Sequence, residues 1–171
     1  MSVDESEGLV SALRAAMQDV SAIPLPPLPP PATDEELAAA EADLGFPLPD
    51  EVRRLYKVAS GGRIGVFNVI PIDQLASITK DELVSVERDV MWEPGQDPEH
   101  WDGEIPEGNL IVLSWQPPME IFYECDGPLA GRLVIFTFTG IDDVWGRLAR
   151  SIADCFRWQL AAFELGVFEV R

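Results

Sequence analysis

From Asp4 to Val20 the apolar residues Leu9, Val10, Leu13, Met17 and Val20 fall on one face of a helix, with Glu5, Glu7, Arg14 and Asp19 elsewhere. The spacing predicts an amphipathic helix whose stripe either packs on its own domain or docks another chain. The next stretch, SAIPLPPLPPPA from Ser21 to Ala32, cannot be helical, because its prolines lack donors and hold a fixed backbone angle. It is expected to be a stiff extended strap, acting as a linker or, through its PxxP spacing, as a ligand for an aromatic groove. Helical spacing returns at Leu37, Ala40, Glu41 and Leu44. Thr33 suits the N-cap of that helix and Glu36 completes a capping box. Gly45 is its expected left-handed stop. Pro49 is placed in the first turn of a second helix, Asp50 to about Ala59. Val52, Leu55, Tyr56 and Ala59 form the buried stripe of this helix, and Ser60-Gly61-Gly62 close it.

Beyond the helical pair the pattern becomes short, apolar and β-branched. Arg63 to Ile72 (RIGVFNVIPI) is read as one strand, with Asp73 as a possible cap for a following helix. Asp81 to Glu107 reads as loop, punctuated by Pro94-Gly95, Pro98, Asp102-Gly103 and Pro106. Three strands are then expected at Asn109 to Trp115, Glu120 to Glu124 and Arg132 to Thr139, separated by turn-rich segments, which suggests an antiparallel meander. Apolar residues in the last of these do not alternate cleanly, so it is expected to be central and covered on both faces. Asp142 and Asp143 are read as capping a turn or a short helix before Trp145. A final helix runs from Arg150 to Leu165, with Ile152, Phe156, Leu160 and Phe163 inward and Asp154, Arg157, Gln159 and Glu164 off that stripe. One helix and a strap are too little for an independent domain. Residues 1–30 are therefore expected as an extension on a single domain, 31–171.

The order of an acidic capped helix, then Leu44-Gly45-x-Pro47-Leu48-Pro49-x-Glu51, then an aromatic-bearing helix ending in Ser60-Gly61-Gly62, resembles the opening signature of the SUKH superfamily. The sequence PIDQLASI is similar to that family's passage into its next helix. Gly131-Arg132-Leu133-Val134 resembles the strand before its final helix. In SIADCFRWQL, Ser151, Ala153, Asp154 and Phe156 match the terminal pattern, with Cys155 where serine is more usual. The resemblance covers about Pro31 to Leu165. It implies an α+β fold, a mainly antiparallel sheet of about four to six strands packed by helices. It also implies a non-catalytic protein-binding role, because the group includes bacterial immunity proteins that neutralise polymorphic toxins and fungal regulators of cell-wall synthesis. The matching residues Thr33, Glu36, Leu44, Gly45, Pro47, Leu48, Pro49, Tyr56, Gly61, Gly62, Asp154 and Phe156 are mainly core and capping positions, so they specify fold better than function.

Charge changes the picture. Thirty acids against twelve lysines and arginines leave a formal net charge of −18 on 171 residues. That field repels phosphate backbones and disfavours direct nucleic-acid binding. It suits either plain solubility or recruitment of a basic partner such as a nuclease-like toxin domain. Between Asp81 and Glu107 lie ten acids and a single base, Arg88. Trp92 and Trp101 sit in this run among Glu93, Asp97, Glu99, Asp102 and Glu104, and aromatic area flanked by carboxylates can make a hot spot for a basic surface. The other reading is that both tryptophans fold back over the sheet while the acids face water.

Chemistry of other kinds finds little support. The one histidine, His100, has no imidazole or thiol at ligand spacing, so neither a metal nor a cofactor is expected. There is no GxSxG elbow, phosphate-cradling loop or dinucleotide fingerprint, and adjacent acids such as Glu35-Glu36 do not converge on one substrate. Cys125 and Cys155 are expected as free, buried or half-buried thiols. No run approaches the roughly 20 apolar residues that span a bilayer, and the acidic start MSVDESEG is unlike a secretory signal, so the cytoplasm is expected. Two roles follow. One is an immunity protein that covers a toxin, and the other is a regulatory or scaffolding domain of the cell's own physiology.

Overall fold

A computed structural model describes residues 2–89, 108–116, 119–128, 130–138 and 143–167. Among the described residues eleven elements follow one another: α1 Val3–Val20, α2 Asp34–Leu44, α3 Asp50–Val58, β1 Gly62–Ile64, β2 Phe67–Val69, α4 Leu75–Asp89, β3 Leu110–Gln116, β4 Met119–Glu124, β5 Leu133–Phe138, β6 Asp143–Ala149 and α5 Ile152–Glu164. The six strands make one antiparallel sheet in sequence order, a curled meander. The α+β class and the strand number agree with the expectation.

The helical pair forms as its caps dictate. Thr33 Oγ1 accepts from the Glu36 amide at 3.1 Å, and the Glu36 carboxylate accepts from the Thr33 amide at 2.7 Å, which closes the capping box. Gly45 stops α2 at φ 87°. Pro49 stands one residue earlier than expected, at the cap of α3, and Ala59 is already extended, so the glycines lead into β1 instead of closing the helix. Val52, Leu55, Tyr56 and Ala59 are all fully buried.

Four local readings need correction. Arg63 to Ile72 is a hairpin, because Gly65 at φ 58° turns the chain and pairs Ile64 with Phe67. A two-residue turn that begins with glycine matches the right-handed twist of its strands. The segment 81–89 is helical and completes α4. The prolines and glycines that signal loop in the span 81–107 begin only at Pro94, and none falls within 75–89. The helix starts at Leu75, with the Gln74 carbonyl accepting from Ile78, so Gln74 and not Asp73 takes the cap position. Asp143 opens β6, whose register sets Trp145 opposite Phe136 and Gly146 opposite Ile135. Gly146 and the preceding acid pair obscure an otherwise strand-like Val-Trp and Leu-Ala.

α1 belongs to the same body as the sheet. Val10, Leu13 and Met17 lie in the core, and the helix packs on α3, α5 and β1. Its stripe is therefore used within the chain. α5 closes over the hairpin, where Phe156 meets Phe67 edge to face at 5.9 Å. In α5, Gln159 is completely buried, although its spacing had placed it off the stripe. Its Oε1 accepts from the Val66 amide at 2.9 Å, a polar demand from the hairpin that apolar periodicity does not register. β5 lies inside the sheet between β4 and β6, with Leu133, Val134 and Phe136 buried, as its unbroken apolar run implied.

Candidate partner-binding surface

The expected hot spot, Trp92 and Trp101 with Glu93, Asp97, Glu99, Asp102 and Glu104, lies outside the described residues, as does His100. The described chain shows the two supports from which that segment departs and to which it returns. On the departing side, α4 lies along β3. The buried Thr79 hydroxyl accepts from the Val112 amide at 3.1 Å, beside the β3 bulge. The ammonium group of Lys80 donates to the Asp43 carbonyl at the end of α2. On the returning side, the Asn109 amide and side-chain amide each donate to the Asp126 carboxylate at 2.7 Å, and the Cys125 amide donates to the Asn109 carbonyl at 2.7 Å. These two donors from Asn109 hold the Asp126 carboxyl below the usual aspartate range. The 18 residues of 90–107 thus span two anchored points.

Glu124 is fully buried beneath this return, and its Oε1 accepts from the Gly108 amide at 3.3 Å. By sequence it is only the end of a strand. The available signal was alternation, since Glu120, Phe122 and Glu124 share one face and Phe122 is in the core.

A second polar node was also missed. Glu51 of α3 accepts from the Tyr123 hydroxyl of β4 at 3.3 Å with one carboxylate oxygen and from the Ala153 amide of α5 at 3.2 Å with the other. One carboxylate therefore joins three elements and caps the start of α5 alongside Ser151, whose hydroxyl accepts from Asp154 at 3.0 Å. Burial and the neighbouring Glu51 carboxylate both push the Tyr123 phenol up, so it stays a donor.

Electrostatically, six cations are engaged within the chain, while Arg63 and Arg150 lie exposed. Arg14 donates to the carbonyls of Arg63 and Pro26, Arg53 pairs with Glu41, and Arg54 lies 3.9 Å from Asp50. Lys57 meets Asp34 at 2.8 Å, Lys80 holds Asp43, and Arg157 bridges Glu5 and Asp154. Each is taken by an acid or a carbonyl of this chain, while Glu7, Asp19, Glu35, Asp73, Asp81 and Glu164 remain on the exposed or partly exposed surface. Trp115, Met119 and Trp158 are large apolar side chains more than two-fifths exposed on the same acidic body.

The residues of the opening signature have structural tasks. Tyr56 is fully buried, with its hydroxyl donating to the Ile70 carbonyl at 2.9 Å, and Leu48 is buried with its amide on Glu41 at 2.9 Å. Gly61 sits at φ 148°, where an added Cβ would stand 2.8 Å from the Pro71 backbone. The model of the SMI1 / KNR4 family (SUKH-1) matches residues 31–157. The chain belongs to this family. A search of curated proteins finds no match to it. The SUKH-1 match begins at Pro31, so α1 and the strap up to Pro30 lie outside it although α1 fills the same core. Among the described residues no group of His, Cys, Asp and Glu could hold a metal ion, and no helix is long and apolar enough to cross a membrane. Cys125 and Cys155 are free thiols, half-buried and buried respectively.

Proposed function

We propose that this SUKH-1 chain is an immunity protein, which binds a toxin domain with a basic, nuclease-like surface in the cytoplasm and neutralises it by covering its active site. It would do so without catalysis of its own. The observation that carries this reading is the charge arrangement. A net −18 is set on a scaffold that engages Arg14, Arg53, Arg54, Lys57, Lys80 and Arg157 with its own acids and carbonyls. A nuclease must present positive charge to attract phosphate. An acidic partner competes for that surface, and electrostatic steering can raise association rates by roughly 10 to 1,000-fold. The contact surface would be the segment between α4 and β3, with Trp92 and Trp101 as anchors and Glu93, Asp97, Glu99, Asp102 and Glu104 around them.

The test is co-expression with a toxin encoded beside its gene, followed by affinity measurement of the purified pair across a salt series. Protection of growth, an affinity that falls steeply with salt, and a large loss for Trp101→Ala support the proposal. Lack of protection, or binding indifferent to salt, overturns it. A regulatory or scaffolding role is the second reading, and the exposed proline strap is the feature that favours it.

A further inference from the structure

Every residue from Ile23 to Pro31 is either a proline or stands immediately before one. Proline fixes its own φ and bars its predecessor from the helical region. From Pro24 onward the segment is thereby confined to extended, polyproline-like backbone, after a bend at Ile23, and it carries neither helix nor strand. A polyproline II helix has three residues per turn, so residues i and i+3 share a ridge. Leu25 and Leu28 form one ridge, half-buried against the core. The other two ridges, Pro24-Pro27-Pro30 and Pro26-Pro29, are exposed along their full length.

The strap is also fastened where it stands. Gln18 Oε1 accepts from the Leu25 amide at 2.8 Å, and Arg14 donates to the Pro26 carbonyl. The Pro30 carbonyl accepts from Ser60 at 2.9 Å, and the Ala32 amide donates to Tyr56 at 2.9 Å. A linker needs only to cover distance. This one buries one ridge and displays the remaining two, which is the presentation an aromatic-lined groove requires. The ordering entropy that a free proline-rich peptide would lose on docking is already lost when the domain folds.

We propose that Ile23 to Pro31 is a preformed polyproline ligand, displayed to a protein domain whose aromatic-lined groove reads two adjacent proline ridges. The assignment is independent of toxin binding, since neither the acidic segment nor its tryptophans take part. Truncation of residues 1–30 is no test, because it removes Val10, Leu13 and Met17 from the core. The test uses the full chain, labelled with 15N and titrated separately with an SH3, a WW and an EVH1 domain. With at least one of them, saturable shifts are expected at the strap amides of Ile23, Leu25, Leu28 and Ala32. A Pro24→Ala/Pro27→Ala double variant, altered only on an exposed ridge, should weaken that binding by about tenfold or more while the rest of the spectrum stays in place. Absence of strap shifts with all three domains overturns the proposal. So do shifts centred elsewhere, or binding that the double variant leaves unchanged.

Discussion

The side chain of Gln159 accepts the Val66 amide at 2.9 Å across 93 residues of sequence, and a Cβ added at Gly65 would stand 2.2 Å from that same Gln159 oxygen. The final helix and the first hairpin are thus joined by a part-buried hydrogen bond that glycine at the turn leaves room for. Gln159→Leu removes the acceptor and leaves the part-buried Val66 N–H without its partner, which should cost about 1–3 kcal/mol. Gly65→Ala should cost more, since it adds a steric overlap to a left-handed φ of 58°. Urea unfolding checks both, as a lower midpoint at unchanged slope.

The contrast between that contact and the capping box explains what could be read from the chain alone. Thr33 and Glu36 are three residues apart, and Tyr56 falls on a helical stripe, so their roles follow from short-range spacing. Gln159, Glu51 and Glu124 are held by partners 93, 72 or 102, and 16 residues away, and their polarity argues for the surface until those partners are placed. β6 was missed for a related reason. Its order comes from pairing with β5, while Gly146 weakens its local signal. For the candidate surface, sequence supplied the acids and tryptophans, and the structure added the anchors at Thr79, Lys80, Asn109 and Asp126. Those anchors are pairwise contacts between segments, which composition cannot express.

α1 lies outside the family match yet Leu13 is fully buried beneath it. Leu13→Ala should therefore destabilise by about 2–5 kcal/mol, a large share of the roughly 5–15 kcal/mol that holds an ordinary domain together. Ile23→Ala, at a side chain 74% exposed, should stay within about 0.5 kcal/mol. Thermal and urea unfolding of the two variants in parallel would show whether α1 is part of the cooperative unit. Equal, negligible effects would mark it as a loosely attached extension.

Acid should weaken the α2–α3 corner in a defined direction. Burial alone would raise the Glu41 carboxyl, but the Arg53 guanidinium and the Leu48 amide outweigh it, so it sits below the ordinary value of 4.5. Asp34 is lowered in the same sense by its hydrogen bond and attraction to Lys57. A group whose folded pKa is depressed contributes stability above its unfolded value and loses it as pH falls through the folded one. The contribution of Glu41 is therefore complete above about pH 4.5 and fades below it. Glu41→Gln should lower stability at neutral pH and flatten the dependence between about pH 5 and 3, read as unfolding midpoints along a pH series. A variant with the same acid slope as the parent would mean that the pair contributes nothing to it.

Both thiols should be silent in the folded chain. Burial pushes Cys125 up to about 12, with the Asp126 and Glu124 carboxylates adding to the effect. Burial likewise carries Cys155 to about 11, although the Gln159 side chain pulls slightly the other way. The thiolate is the reactive form, so at pH 8 each group is almost entirely protonated as well as shielded. A chromogenic disulfide reagent at that pH should report almost no fast reaction from the native chain and two equivalents in denaturant, matching the two cysteines of the sequence. Cys125 is the less enclosed of the pair, so any slow native reaction should begin there and vanish in Cys125→Ser. Gln159→Leu also removes the Nε2 donor 3.7 Å from the Cys155 sulfur, which would raise that thiol further, so the faster labelling of Cys155 expected in this variant would come from opening of α5 and not from its pKa. Faster labelling there, with Cys125 unchanged, would show that the bond between Gln159 and Val66 keeps α5 seated on the hairpin.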